Sequence, residues 1–274
     1  MTKPERGVSD FPDILTEVIA KPNPGARELE LGEGVVARLE RCKEDGDYLE
    51  GEFCRIQTQN IPPETGPDGL KPIKLEGGLG HVAAYLYHRP TRVLLLQRNI
   101  HSVTAGRLAL YLAATNANRI FGFAPVLAKN AMDRFLAKEP RGFAVTFAGP
   151  ENLEALDDAN IAAAQGAKLI AEAYGGVRVK IEVTVGKSRK KFLRKQEILE
   201  DIGGLIDVDG VKALKVNAAG GGEDDMINFM KEQLQGEQVL DLPEGEPDKN
   251  YEVRRLFLRK VFSDNMKAIN KQFG

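Results

Sequence analysis

The segment VRVKIEVTV, Val177 to Val185, alternates apolar and polar residues without a break. Val177, Val179, Ile181, Val183 and Val185 fall on one side of an extended chain, and Arg178, Lys180, Glu182 and Thr184 on the other. A period of two describes a strand with one buried face and puts no single stripe on a helix. A strand needs neighbours, so this chain must build a sheet.

The rest of the pattern says which kind of sheet. VVARLERC and YLEGEFCRIQ flank KEDGD, a hairpin with its turn at Asp45-Gly46. HVAAYLYH and RVLLLQR, joined by RPT, form a second hairpin. GFAVTFAG, VKALKVNA, RIFGFAPVLA and EQVLDL are further strand-like runs. Helical spacing marks Phe11–Ile19, SVTAGRLALYLAATN behind a Ser102 or Thr104 cap, Asn130–Ala137, and ANIAAAQGAKLIAEAY ending at Gly175-Gly176. It also marks EDDMINFMKEQL and a long C-terminal helix from about Tyr251 to Phe273, capped by Asp248 or Asn250. NIPPETGPDGLKP is a proline-rich loop. Tight hairpins among interleaved helices predict an α+β fold: a hairpin-rich mixed or antiparallel sheet with a long C-terminal helix. The expected division is a partly irregular segment over 1–33, a first α/β half over 34–175, and a basic half over 176–274 that carries the terminal helix.

Motifs that would announce an enzyme fail on inspection. VGKS, Val185 to Ser188, resembles the end of a phosphate-binding loop, but Ile181 stands where that loop needs glycine. GLGHVA, Gly78 to Ala83, leads into a strand rather than a helix, so no helix N-terminus meets a pyrophosphate. His81, His88 and His101 with Cys42 and Cys54 lack zinc spacing, and two cysteines are no disulfide framework. Glu223, Asp224 and Asp225 could hold Mg²⁺, or simply occupy the N-terminal turn of the helix read after them. No catalytic set and no cofactor is expected, and the chain reads more readily as a non-enzyme. It shows neither a membrane-spanning apolar run nor a leader at its start, which predicts a cytoplasmic protein without membrane insertion.

Charge is the informative feature. Net charge is −2, yet KSRKKFLRKQ, Lys187 to Gln196, has six basic residues and no acid. Read as a helix, Arg189–Ile206 would carry an apolar arc of Phe192, Ile198, Leu199, Ile202, Leu205 and Ile206, with cations crowding its positive N-terminal end. That arrangement opposes local stability and favours an anionic partner. Residues 223–248 hold nine acids against Lys231, so the chain's charge is blocked by sign. Either the blocks neutralise one another, within the fold or between subunits, or the basic ones converge on phosphates. On the second reading Lys187, Arg189, Lys190, Lys191, Arg194 and Lys195 are the main contacts. Arg178, Lys180, Arg254, Arg255, Arg259 and Lys260 are secondary. Few aromatics are interleaved, which favours duplex backbone over stacked single strands.

The order of elements adds a resemblance. HVAAYLYHRPTRVLLLQRNIHSVTAGRLALYLAATN, then VRVKIEVTV, the basic segment and VRRLFLRKVFSDNMKAINKQFG resemble the RexA proteins of lambdoid phage exclusion. More distantly they are similar to the KwaB component of the Kiwa defence system. The resemblance implies a homodimeric, sequence-nonspecific DNA-binding protein that senses phage infection and acts through a partner, with a membrane-protein effector as the candidate. It carries over no site residues. The alternatives are a self-assembling protein that binds no nucleic acid and a Mg²⁺-dependent nuclease-like enzyme using the acids at 223–225.

Overall fold

The computed structural model describes residues 10–31, 35–99, 101–115, 122–123, 126–127, 129–148, 162–175, 178–188, 190–205, 211–218 and 226–273. The chain forms two compact units, residues 1–122 with 237–274, and residues 123–236. These units cut across the expected halves. The terminal helix belongs with the first sheet, while the strand after residue 176 joins one that precedes it.

In the first unit the sheet comprises β1 (Leu29–Glu30), β2 (Val36–Asp45), β3 (Tyr48–Gln57), β6 (Leu79–His88) and β7 (Val93–Leu96), in the order β1-β2-β3-β6-β7. Every pairing is antiparallel. Both expected hairpins are present. Gly46 makes the first turn at φ +60°, a conformation glycine adopts without strain. A small separate hairpin, β4 (Glu64–Gly66) with β5 (Gly69–Lys71), forms inside the proline-rich loop.

Helices α1 (Phe11–Ile19) and α2 (Ala105–Thr115) cover one face of this sheet. Asp10 and Asp13 close a capping box at the start of α1, and the Thr104 hydroxyl accepts the Arg107 amide at the start of α2. The Phe11 ring packs on Tyr85 and Tyr87, and Tyr111 packs on Phe53. Tyr111 is also tied by polar bonds. Its hydroxyl donates to the Arg27 carbonyl at 2.6 Å and accepts the Leu39 amide at 3.3 Å.

The second unit has a four-stranded antiparallel sheet of β8 (Pro140–Ala148), β9 (Arg178–Thr184), β10 (Val211–Ala218) and β11 (Met226–Asn228), in the order β11-β10-β8-β9. Among the described residues three helices accompany it: α3 (Lys129–Ala137), α4 (Ala162–Tyr174) and α5 (Lys195–Leu205). Phe143, Val145 and Phe147 alternate into the core with Val179, Leu214 and Val216. Ala164, Ala167 and Ala171 recur at helical spacing, and their small side chains let α4 lie close on β9. The last helix of the chain, α6 (Pro247–Phe273), returns to the first unit and packs on β6, β3 and β7, its Phe262 ring against Tyr48 and His88.

Several elements differ from expectation. Met226–Asn228 is a strand on the edge of the second sheet, not part of a helix. Ile227 and Phe229 alternate into the core, and pairing with β10 outweighs the local helical spacing. EQVLDL forms no strand, and Val239 is 95% exposed. The strand read over 119–128 lies largely outside the described residues, though Leu127 bridges Gln233. Helix α6 begins at Pro247 rather than near Tyr251, because proline at N1 gives up an N–H that has no helical partner anyway.

One close approach controls the first hairpin. The β2–β3 register shifts between Leu39 and Arg41, and the displaced Arg41 carbonyl crosses directly over Gly51. A Cβ at Gly51 would lie 1.9 Å from that oxygen and 2.7 Å from the Tyr85 hydroxyl, which donates to the same carbonyl. Gly51→Ala should therefore destabilise the first unit by about 3 kcal/mol or more. Thermal melting checks this, and a variant as stable as the parent would contradict the register shift.

Candidate nucleic-acid interface

Strand β9 keeps its expected alternation, but as the edge of its sheet it is only half sheltered. Val179 is buried, whereas Val183 is 49% exposed. Arg178, Lys180 and Glu182 lie opposite Ala148, Thr146 and Ala144 of β8, and Lys215 of β10 lies opposite Ala144 from the other side. The outer face of this sheet thus has small side chains along its centre and cations on both flanks.

The basic stretch follows as a loop. Its described residues up to Arg194 are not helical, and α5 starts only at Lys195. The apolar arc expected from Phe192 onward is correspondingly shorter: Phe192 is 46% exposed, while Ile198, Ile202 and Leu205 enter the core. Backbone bonds anchor both ends of the loop to the start of β8, Val185 N–H to the Arg141 carbonyl at 3.0 Å and Leu193 N–H to the Pro140 carbonyl at 2.8 Å. Between these anchors the Arg141 guanidinium donates to the Ser188 carbonyl at 2.6 Å and the Gly186 carbonyl at 3.4 Å. Arg141 and Lys215 stand outside the charge run, so counting charges along the sequence passes over them.

The expected contacts now separate. Lys187, Lys190 and Lys191 are exposed and meet no carboxylate among the described residues, as is true of Arg178 and of Lys260 on α6. Arg194 is 86% exposed and donates to Glu197 at 2.9 Å, a surface pair worth little. Lys180 pairs with Glu182 on the same strand. Lys195 is structural, its ammonium donating to the Leu136 carbonyl near the end of α3 and to Glu139. Arg189 lies outside the described residues, as do Glu223, Asp224 and Asp225.

Arg254, Arg255 and Arg259 have a different role. Glu50 and Glu52 sit on β3, whose two faces are both covered, and both are buried. Arg259 Nε and Arg255 Nη1 donate to the two oxygens of Glu50. Arg254 Nη1 and Arg41 Nε donate to the two oxygens of Glu52, each at 3.0 Å. Arg259 also bridges Asp45 at 2.9 Å and lies over the Tyr48 ring at 3.8 Å. Burial pushes the Glu52 carboxyl up, and Arg254 and Arg41 pull it back only in part. These arginines latch α6 to the sheet, and their charge is met by carboxylates of the β2–β3 hairpin. The acidic block of residues 223–248 contributes Asp248, which pairs with Arg41.

Both cysteines are free thiols on opposite faces of the first sheet, Cys42 across from Gly51 and Cys54 across from Arg38. Burial raises both, Cys54 to about 12. No group of three or more metal-ligating side chains occurs among the described residues, and no described helix is long and apolar enough to cross a membrane.

A family model matches residues 11–268, from the first helix into the last and across both units. No curated protein and no solved structure matches the chain. The protein belongs to the family DUF6731, described as a family of unknown function.

Proposed function

We propose that the second unit binds duplex DNA through its phosphates, without reading sequence, and that it does so in the cytoplasm. The observation behind this reading is the loop between β9 and α5. Arg141 and two backbone bonds tie its described ends to the start of β8, yet it displays Lys187, Lys190 and Lys191 with no carboxylate to answer them among the described residues. Like charges held together on one loop repel, and an anionic partner relieves that repulsion. Arg178 and Arg194 extend the same contact set. Arg254, Arg255 and Arg259 are left out of it, because removing them from Glu50 and Glu52 would strand buried carboxylates. Phage exclusion through an effector, the role that the resemblance implies, is a setting in which such a binder acts.

Phosphate contacts position a protein but carry no base information. Two duplexes of equal length and unrelated sequence should therefore bind with affinities within about threefold of each other at one salt concentration. Fluorescence anisotropy measures this directly. A preference of about 100-fold for one sequence would contradict backbone recognition.

A further inference from the structure

The first unit holds a cleft of about 540 Å³ beside the start of α6, within the range of about 300–1,000 Å³ typical of small-molecule sites. Three guanidiniums line it, Arg38 and Arg41 from β2 and Arg254 from α6. Cys54, Gly80 and Val82 form its apolar part. Gly80 helps keep that part open, since a Cβ there would come within 3.0 Å of the Cys54 sulfur.

The carboxylates around these arginines are of two kinds. Glu52 is buried and holds Arg41 and Arg254 from the sheet side, and Glu40 lines the cleft beside Arg38. The other two partners are solvent-exposed. Asp248, with its side chain 89% exposed, meets Arg41 at 2.6 Å, and Glu28 meets Arg38 at 2.7 Å. An exposed ion pair contributes little to stability, so a better-placed oxyanion can take over these donors. A guanidinium also carries more N–H groups than the bonds above use, in a planar fork suited to carboxylate or phosphate.

We propose that this cleft binds a small organic oxyanion, a carboxylate or a phosphate monoester, whose apolar body rests on Cys54, Gly80 and Val82. Its oxygens take the donors of Arg38 and Arg41 that Glu28 and Asp248 now occupy. The site lies in the first unit, so it stands independently of the nucleic-acid reading.

Isothermal titration of the full chain with benzoate and with phenyl phosphate tests this, with benzyl alcohol as the neutral control. Saturable binding of one or both acids at millimolar concentration is expected, and which of them binds identifies the oxyanion class. Arg38→Gln should weaken binding by about tenfold or more. Asp248→Asn should tighten it severalfold, because a competing carboxylate is gone, and a purely structural Asp248 would give no such gain. Gly80→Val should abolish it by filling the floor, and the change at the exposed Asp248 keeps the test decisive if either of the other variants fails to fold. The proposal is overturned if neither acid binds, if benzyl alcohol binds as well as they do, or if folded Arg38→Gln and Gly80→Val proteins bind like the parent.

Discussion

Glu50→Ala should lower the melting temperature of the first unit by about 10 °C. Glu50 is fully buried on β3 and accepts from both Arg255 and Arg259. Truncating it leaves two guanidiniums facing a sheet that offers them no counter-charge at that position. Breaking a buried pair from one side costs about 3–5 kcal/mol, far more than the intact pair contributes. Arg259 keeps Asp45 and the Tyr48 ring, and Arg255 keeps Glu252, so the helix should loosen rather than unfold. The diagnostic companion is the triple variant Glu50→Leu, Arg255→Met, Arg259→Met. It removes the charges together and should recover most of the lost stability, whereas the three single effects summed would predict a far worse protein. If Glu50→Ala melts like the parent, the latch does not hold α6.

Replacing Lys187, Lys190 and Lys191 together by Glu should weaken duplex binding by on the order of 100-fold while leaving the melting temperature nearly unchanged. All three side chains are exposed and bond to nothing else among the described residues, so the fold has no stake in their sign. Arg141, which tethers the loop, is untouched. The matched control is Lys195→Gln. Lys195 supports the end of α3, so its loss should cost stability before it costs binding. Equal binding by the triple variant and the parent would remove the loop from the interface and return the charge blocks to a role in self-assembly.

Much of the fold is legible in the sequence where one local signal dominates. The break-free alternation of β9, the Asp45-Gly46 turn and the alanine-rich α4 each announce themselves, and each is present. The misreadings come from tertiary context. Met226–Asn228 becomes a strand because β10 offers it an open edge, which no window of local sequence reveals. The same limit governs the site. A run of cations is visible as a run, but whether each meets a carboxylate depends on contacts across the fold, such as Arg259 with Glu50. In YLEGEFCRIQ the two glutamates look like the wet side of a hairpin. They are buried because a helix from the far end of the chain covers that side, bringing the arginines that neutralise them. Lys187, Lys190 and Lys191 were legible as candidates for the opposite reason, since nothing among the described residues intervenes.

The most direct test of phosphate recognition is the salt dependence of duplex binding. Each phosphate contact contributes about −0.9 to the slope of log affinity against log salt, so contacts from Arg178, Lys187, Lys190, Lys191 and Arg194 predict a slope of about −4.5. The triple charge-reversal variant should fall to about −1.8. A slope near zero for the parent, or an unchanged slope in the variant, would contradict the account.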